Sequence, residues 1–164
     1  MLAKTVGPGA PQRDHGSHAE QGRSMLFRRQ FTSTDTETRA TLQAMMLALD
    51  QAGIGAEDAS NAELILAEAL NNVAEHAYSD GAGPVDLLVS IQRNGLVCTI
   101  SDRGRPMPSG VAPSPDLPTI SPPDELPEGG FGWHIIRCLT SELVYARDQG
   151  RNLLSMRIPW SGFD

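Results

Sequence analysis

Residues 68–78 read Glu68-Ala69-Leu70-Asn71-Asn72-Val73-Ala74-Glu75-His76-Ala77-Tyr78. At 100° per residue, Leu66, Leu70, Val73 and Ala77 form an apolar stripe, while Glu68, Asn71, Asn72, Glu75 and His76 fall on the other side of the same helix. A merely solvated face ordinarily carries Lys and Arg. Neither occurs from Asp58 through Gln92, and each of the two adjacent asparagines costs roughly 0.5 kcal/mol relative to better helix formers. The composition therefore points to a working face. Glu68 and Asn72, one turn apart, present oxygens in one direction, which suits a water-rich Mg²⁺ that takes few protein ligands and completes its shell with phosphates. His76, a further turn along, reads as a structural hydrogen-bonding residue.

Outward from this stretch, Asp58 or Ser60 is the expected N-cap of the helix, and the Ser79-Asp80-Gly81 turn its end. Upstream, an apolar-charged alternation from Met25 to Phe31 predicts a strand, and Thr34 or Asp35 caps a following helix. Leu42, Met45, Met46 and Leu49 supply its apolar face and Gly53 its close. Downstream, Val85 to Gln92 and Leu96 to Asp102 read as strands joined through Asn94-Gly95, a hairpin signal that makes them antiparallel. Most of the chain's twelve prolines fall between Arg103 and Gly129, which excludes a continuous helix or central strand there. Helical periodicity resumes from Phe131 to about Leu139. Glu142 to Arg147 and Asn152 to Ile158 form a closing hairpin around Asp148-Gln149-Gly150. The predicted architecture is α+β: a two-layer sandwich in which helices cover one face of a mixed, mostly antiparallel sheet.

The chain has 164 residues, 40% of them apolar, enough for one core. Residues 1–24 are rich in Gly, Pro, His, Gln and Ser and are expected to be a flexible tail, leaving 25–160 as the single domain. A formal charge of -7 opposes a phosphate backbone or an anionic membrane as partner. The two cysteines, Cys98 and Cys138, lack metal-ligand spacing and are expected to be buried free thiols. No apolar run of membrane-spanning length occurs, and no signal-peptide pattern opens the chain, so a cytoplasmic protein is expected.

Two further motifs follow the helix. Ile100-Ser101-Asp102-Arg103-Gly104-Arg105-Pro106 ends an apolar strand in Asp-x-Gly, which alone is a common turn. Gly129-Gly130-Phe131-Gly132-Trp133-His134 places three glycines where a loop enters a helix, so that backbone N–H groups face an anion or, more blandly, the chain hinges. It matches neither a Walker loop nor the dinucleotide fingerprint.

In this order, an acid-and-Asn helix, a strand-end Asp-x-Gly, a long loop and a Gly-Gly-x-Gly helix start resemble the N-box, G1 box and G2 box of GHKL ATPases, the superfamily of gyrase, histidine kinases and MutL. The Glu four residues before Asn72 and the following His76-Ala77-Tyr78 resemble its anti-sigma factor serine kinase branch. The resemblance covers Met25 to Ile158 and implies the Bergerat ATP-binding fold, with ATP and Mg²⁺ as ligands. It implies that Asn72 coordinates Mg²⁺, that Glu68 activates a serine hydroxyl or water, and that Asp102 accepts the adenine amino proton while Gly104 lets the base approach the backbone. Gly130 and Gly132 would bind phosphates, and Met107 to Glu128 would form the ATP lid. The implied activity is an anti-sigma factor with serine/threonine kinase activity toward an anti-anti-sigma (STAS-domain) protein. The alternative is a nucleotide-binding partner-switching regulator with little kinase activity. A sigma factor, a STAS protein and a second copy of the chain are the implied partners. Arg105-Pro106 departs from the family, where many members have a small residue and Gly, and His134 is also atypical.

Overall fold

The computed structural model describes residues 24–107 and 131–161. The expectations for the tail before Ser24, for the lid from 108 to 128 and for Gly130 lie outside the described residues.

Five segments of period-two patterning build one sheet: β1 (Ser24–Thr32), β2 (Pro84–Gln92), β3 (Gly95–Asp102), β4 (Glu142–Asp148) and β5 (Arg151–Pro159). Their order is β1-β2-β3-β5-β4, and every pairing among the described residues is antiparallel. The register places Leu87, Ile100, Leu154 and Tyr145 in one transverse row, and with them the inward positions Val85, Val89, Leu96, Cys98, Met156 and Ile158. On this face lie three helices, α1 (Asp35–Gln51), α2 (Ala56–Asn72) and α3 (Phe131–Leu139). They bury Met45 and Leu49, then Ile65, Leu66, Ala69 and Leu70, then Trp133 and Ile136, in one cluster with the strand residues. The expected two-layer α+β sandwich is the observed one.

The ends of these elements follow from local chemistry. Thr34 caps α1, its hydroxyl accepting from Glu37 N at 3.3 Å. At the other end Gly53, at φ 75°, donates to Asp50 O, and Ile54 donates to Leu49 O, the paired bonds of a Schellman close. α2 begins earlier than expected. Gly55 is its N-cap with no side-chain bond, and neither Asp58 nor Ser60 caps it; Asp58 lies in the first turn, beside the positive end of the helix dipole, and accepts from Ser161 N at 2.7 Å. After Asn72 the helix widens into a π turn, Val73–Ala77, closed by Tyr78 N donating to Val73 O five residues back.

The closing hairpin turns through Gln149 at φ 46° and Gly150 at φ 75°, two left-handed residues that match the twist of β4 and β5. The β2–β3 turn is displaced by one residue from the expected Asn94-Gly95. Gln92 pairs with Gly95, so Arg93 and Asn94 make the turn. Gly95 is required for another reason: at φ 148°, a Cβ there would lie 2.2 Å from the carbonyl oxygen of Ile158 on β5.

On the opposite face of the sheet, Arg28 grips Asp86 through Nε at 3.2 Å and a terminal nitrogen at 2.7 Å, with Gln30 adding a third bond at 3.3 Å. The hydrogen bond from Arg28 holds the Asp86 carboxyl below its ordinary range, against the opposing effect of partial burial. A carboxyl with a lowered folded-state pKa stabilises the fold above the unfolded value and loses that contribution as pH falls below it. Asp86→Asn should therefore lower the urea midpoint at neutral pH, and the gap from wild type should close below about pH 4. Urea titrations at the two pH values check this.

Candidate functional site

The inner face of the sheet is apolar until its last row, where Val85, Asp102, Asn152 and Arg147 stand side by side. Asp102 is only 6% exposed. Its Oδ1 accepts from Gly104 N at 2.8 Å, forming the turn that ends the strand, and from Asn152 Nδ2 at 2.7 Å. Its Oδ2 has no donor among the described residues. Beside this row lies a cavity of about 250 Å³ with mostly apolar walls, Ala69 and Val73 from α2 and the π turn, Leu154 from β5, Trp133 from α3, and Met107. Asn72, His76 and Asp102 bring polar groups to it.

The helix face predicted from sequence divides in two. Asn72 lines the cavity, and its Nδ2 is buried with no hydrogen-bond partner. The two amide atoms exchange by a flip, so this side chain has either a donor or an oxygen free for a ligand. Asn71 and Glu75 bond each other at 2.9 Å on the exposed side. His76 is exposed at the cavity wall and hydrogen-bonds no described residue, which corrects the structural role expected of it.

Glu68 is half-buried one turn before Asn72. A Cβ at Gly132 would lie 2.5 Å from its Oε2, so the missing side chain lets the carboxylate lie against the first turn of α3, the positive end of that helix. Gly104 has a packing role. A Cβ there would lie 2.4 Å from the carbonyl oxygen of Ala77, which instead accepts from Arg105 N at 2.9 Å. The end of β3 is thereby tied to the π turn. Arg105, the departure from the family pattern, pairs with Asp80 and bonds Ser79 Oγ at 3.0 Å. Tyr78 adds a second tie, its hydroxyl accepting from Arg103 N at 2.9 Å and donating to Pro84 O at 2.8 Å.

Four contributors escaped the sequence reading: Asn152, Tyr145, Arg147 and Trp133. Asn152 left a signal, since it occupies the apolar phase of β5 ahead of Leu154, Met156 and Ile158. Burial pushes the Cys98 thiol up to about 12, as suits an inert core residue. Cys138 is exposed rather than buried, because it lies on the side of α3 away from Trp133 and Ile136; its sulfur is 3.4 Å from His134 Nε2.

An antiparallel sheet under three helices, with an amide and a buried carboxylate facing one cavity across the layer boundary, defines a two-layer α+β domain with a cavity between its layers. The chain belongs to the histidine kinase-like ATPase domain family, whose model matches residues 31–158. Its relatives include the serine-protein kinase RsbW of Bacillus cereus (strain AH820) and that of Bacillus anthracis, each 25% identical over 107 residues, 62% of this chain and 65% of the relative. The RsbW of Bacillus cereus (strain AH187) is 24% identical over 110 residues, 64% of this chain and 67% of the relative. The chain thus spans slightly less than two thirds of the length of the first of these relatives. Among the described residues no helix is long and apolar enough to cross a membrane.

Gly104 and Gly132, the two candidate-site glycines among the described residues, should respond oppositely to Ala. In Gly104→Ala the Cβ meets backbone and cannot be accommodated without separating β3 from the π turn, a cost of about 1–3 kcal/mol. In Gly132→Ala it meets only the end of the flexible Glu68 side chain, and a helical Gly→Ala change gains about 0.5–1 kcal/mol. Thermal melts should show the first variant below wild type and the second at or above it.

Proposed function

We propose that this protein binds ATP with Mg²⁺ at the cavity beside Asp102, and that it is an anti-sigma factor with serine/threonine kinase activity toward an anti-anti-sigma, STAS-domain partner. The observation that carries the reading is the convergence of Asn72 and Asp102 on one apolar cavity from opposite layers of the fold. In this reading Oδ2 of Asp102 accepts the exocyclic amino proton of adenine, and the apolar walls enclose the ring. Asn72, with an amide atom that no described residue satisfies, turns its oxygen to the metal. No group of three or more His, Cys, Asp or Glu among the described residues could hold a metal, so the fit is to an ion that keeps waters and takes phosphate oxygens. Such an ion, when bound, neutralises charge on the phosphates during transfer.

In this reading Glu68 takes the proton of an attacking serine hydroxyl. Its carboxylate is one turn from Asn72 and lies against α3 at Gly132, near the positive end of that helix. Gly130 and Gly132 are assigned to the phosphates and the segment after Met107 to a lid. The kinship with serine-protein kinases named RsbW supports the phosphotransfer, and the resemblance of Glu68 to Tyr78 to the anti-sigma factor kinase branch supports the partner-switching role. In that role the protein holds a sigma factor when the STAS partner is absent and phosphorylates a serine of that partner when it is present.

A ligand that binds only the folded state stabilises it by mass action, about 2.7 kcal/mol at a hundredfold excess over Kd. Mg·ATP at that excess should therefore raise Tm by roughly 5–10 °C in a chain of this size. No shift at millimolar nucleotide would count against the assignment. The two helix residues should then separate binding from chemistry. Asn72→Ala should weaken ATP binding in calorimetry and lower phosphate transfer with it, since a metal ligand acts in ground and transition states alike. Glu68→Gln should bind ATP as wild type does yet transfer phosphate to the STAS partner roughly 10²–10⁴-fold more slowly. Undiminished transfer by Glu68→Gln would remove it from the mechanism. A wild type that binds ATP and transfers nothing would make the protein a binding regulator.

A further inference from the structure

A buried amide at the end of β5 needs a reason, because the next three inward positions of that strand are Leu154, Met156 and Ile158 and an apolar residue would serve the core as well. Asn152 is 4% exposed and its hydrogen-bonding capacity is filled in one sense only. Its Nδ2 donates to Asp102 Oδ1 at 2.7 Å and to Arg105 O at 2.9 Å. Its Oδ1 accepts from Tyr145 OH at 2.7 Å and from the Arg147 guanidinium. Two acceptors on one side and two donors on the other fix the amide against a flip. Tyr145 extends the chain of bonds, its oxygen accepting from Met107 N at 3.1 Å. Arg147 also donates to Gly104 O at 3.0 Å.

We propose that Asn152, oriented by Tyr145 and Arg147, is a specificity-determining positioning residue that locks the Asp102 carboxylate and the 104–107 backbone into one geometry, selecting a 6-amino purine over a 6-oxo purine. The inference rests on the nucleotide reading of the cavity. With Oδ1 saturated by Gly104 N and Asn152 Nδ2, only Oδ2 of Asp102 is left to accept from a ligand, and it cannot swing. A fixed acceptor fits the amino group of adenine. Hypoxanthine carries a carbonyl oxygen at that position and its proton on the adjacent ring nitrogen. A rigid carboxylate meets the carbonyl with like charge, whereas a loosened one can move to follow the ring N–H. Discrimination therefore depends on rigidity supplied from β4 and β5, two strands that carry none of the three motifs.

The test is calorimetric binding of ADP and of inosine diphosphate, both with Mg²⁺, to the full chain and to two variants. Wild type should favour ADP by tenfold or more. Asn152→Ala should lose about tenfold in ADP affinity while inosine diphosphate changes less than threefold, so that the preference collapses. Tyr145→Phe, which keeps the ring and deletes only the hydroxyl, should lower the preference about threefold, and it carries the test if Asn152→Ala fails to fold. Wild-type binding of ADP without preference, an unchanged preference in the folded variants, or an equal loss of both ligands would overturn the proposal and leave the nucleotide reading standing. Absence of ADP binding by wild type would instead bring down that reading, and this inference with it.

Discussion

The carbonyl oxygen of Ala77 and the amide of Arg105, 2.9 Å apart, join the helical layer to the end of β3, and the rest of the site depends on that contact. It exists because Gly104 has no side chain to fill the gap. α2 is held over the sheet by Ile65, Leu66, Ala69 and Leu70, all essentially inaccessible, so its position along the strands is fixed by packing. The π turn adds a residue to the last turn, rotating Ala77 and Tyr78 round so that a backbone oxygen and a phenol hydroxyl both reach the strand-end loop. Asn72 and Asp102, thirty positions apart in sequence, are brought to one cavity as a result.

The polar row beneath that cavity is a local exception to an apolar face. Asp102 and Asn152 are both nearly inaccessible, and a buried polar group left without a partner costs about 1–3 kcal/mol. Each is satisfied by a neighbour that the antiparallel register brings alongside: Asn152 for Asp102, Arg147 for Asn152. The row is thus stable as a set, and truncation of one member exposes the others to an unmet demand. Among the described residues, the buried amide atom in the cavity wall that stays unpartnered belongs to Asn72, the position assigned to a ligand.

The strand and helix segments were legible because their apolar periods differ, two in the strands and near 3.6 in the helices, and burial of those periods is what folds the chain. The misreadings share a cause. Asp58 carries the chemistry of an N-cap, but α2 starts at Ala56 after Gly55, which leaves Asp58 in the first turn, where it accepts from Ser161 N instead. Asn94-Gly95 has the composition of a hairpin turn, but Gly95 is needed inside β3, where β5 approaches too closely for a Cβ. Cys138 reads as a core residue by type, and the side of α3 it falls on exposes it. His76 is polar and close to Asn72 in sequence, yet among the described residues it hydrogen-bonds none. In each case a residue's local chemistry was sound and a neighbour distant in sequence decided its use.

Order and type of the chemical groups were determined by the sequence alone: a carboxylate and an amide one turn apart, an Asp at a strand end, glycines at a helix start, and an apolar pattern sufficient for an α+β sandwich. These are short-range properties, set by periodicity and by residue chemistry. Tertiary structure alone decided that Asn152, Tyr145 and Arg147 stand behind Asp102, that Gly104 is filled by a carbonyl from the π turn, and that Gly132 makes room for Glu68. Those contacts join elements dozens of residues apart, and they arise only when strand register and helix packing are fixed together, because a slip of one residue would turn a strand's side chains to the other face of the sheet and swing a helix's by about 100°.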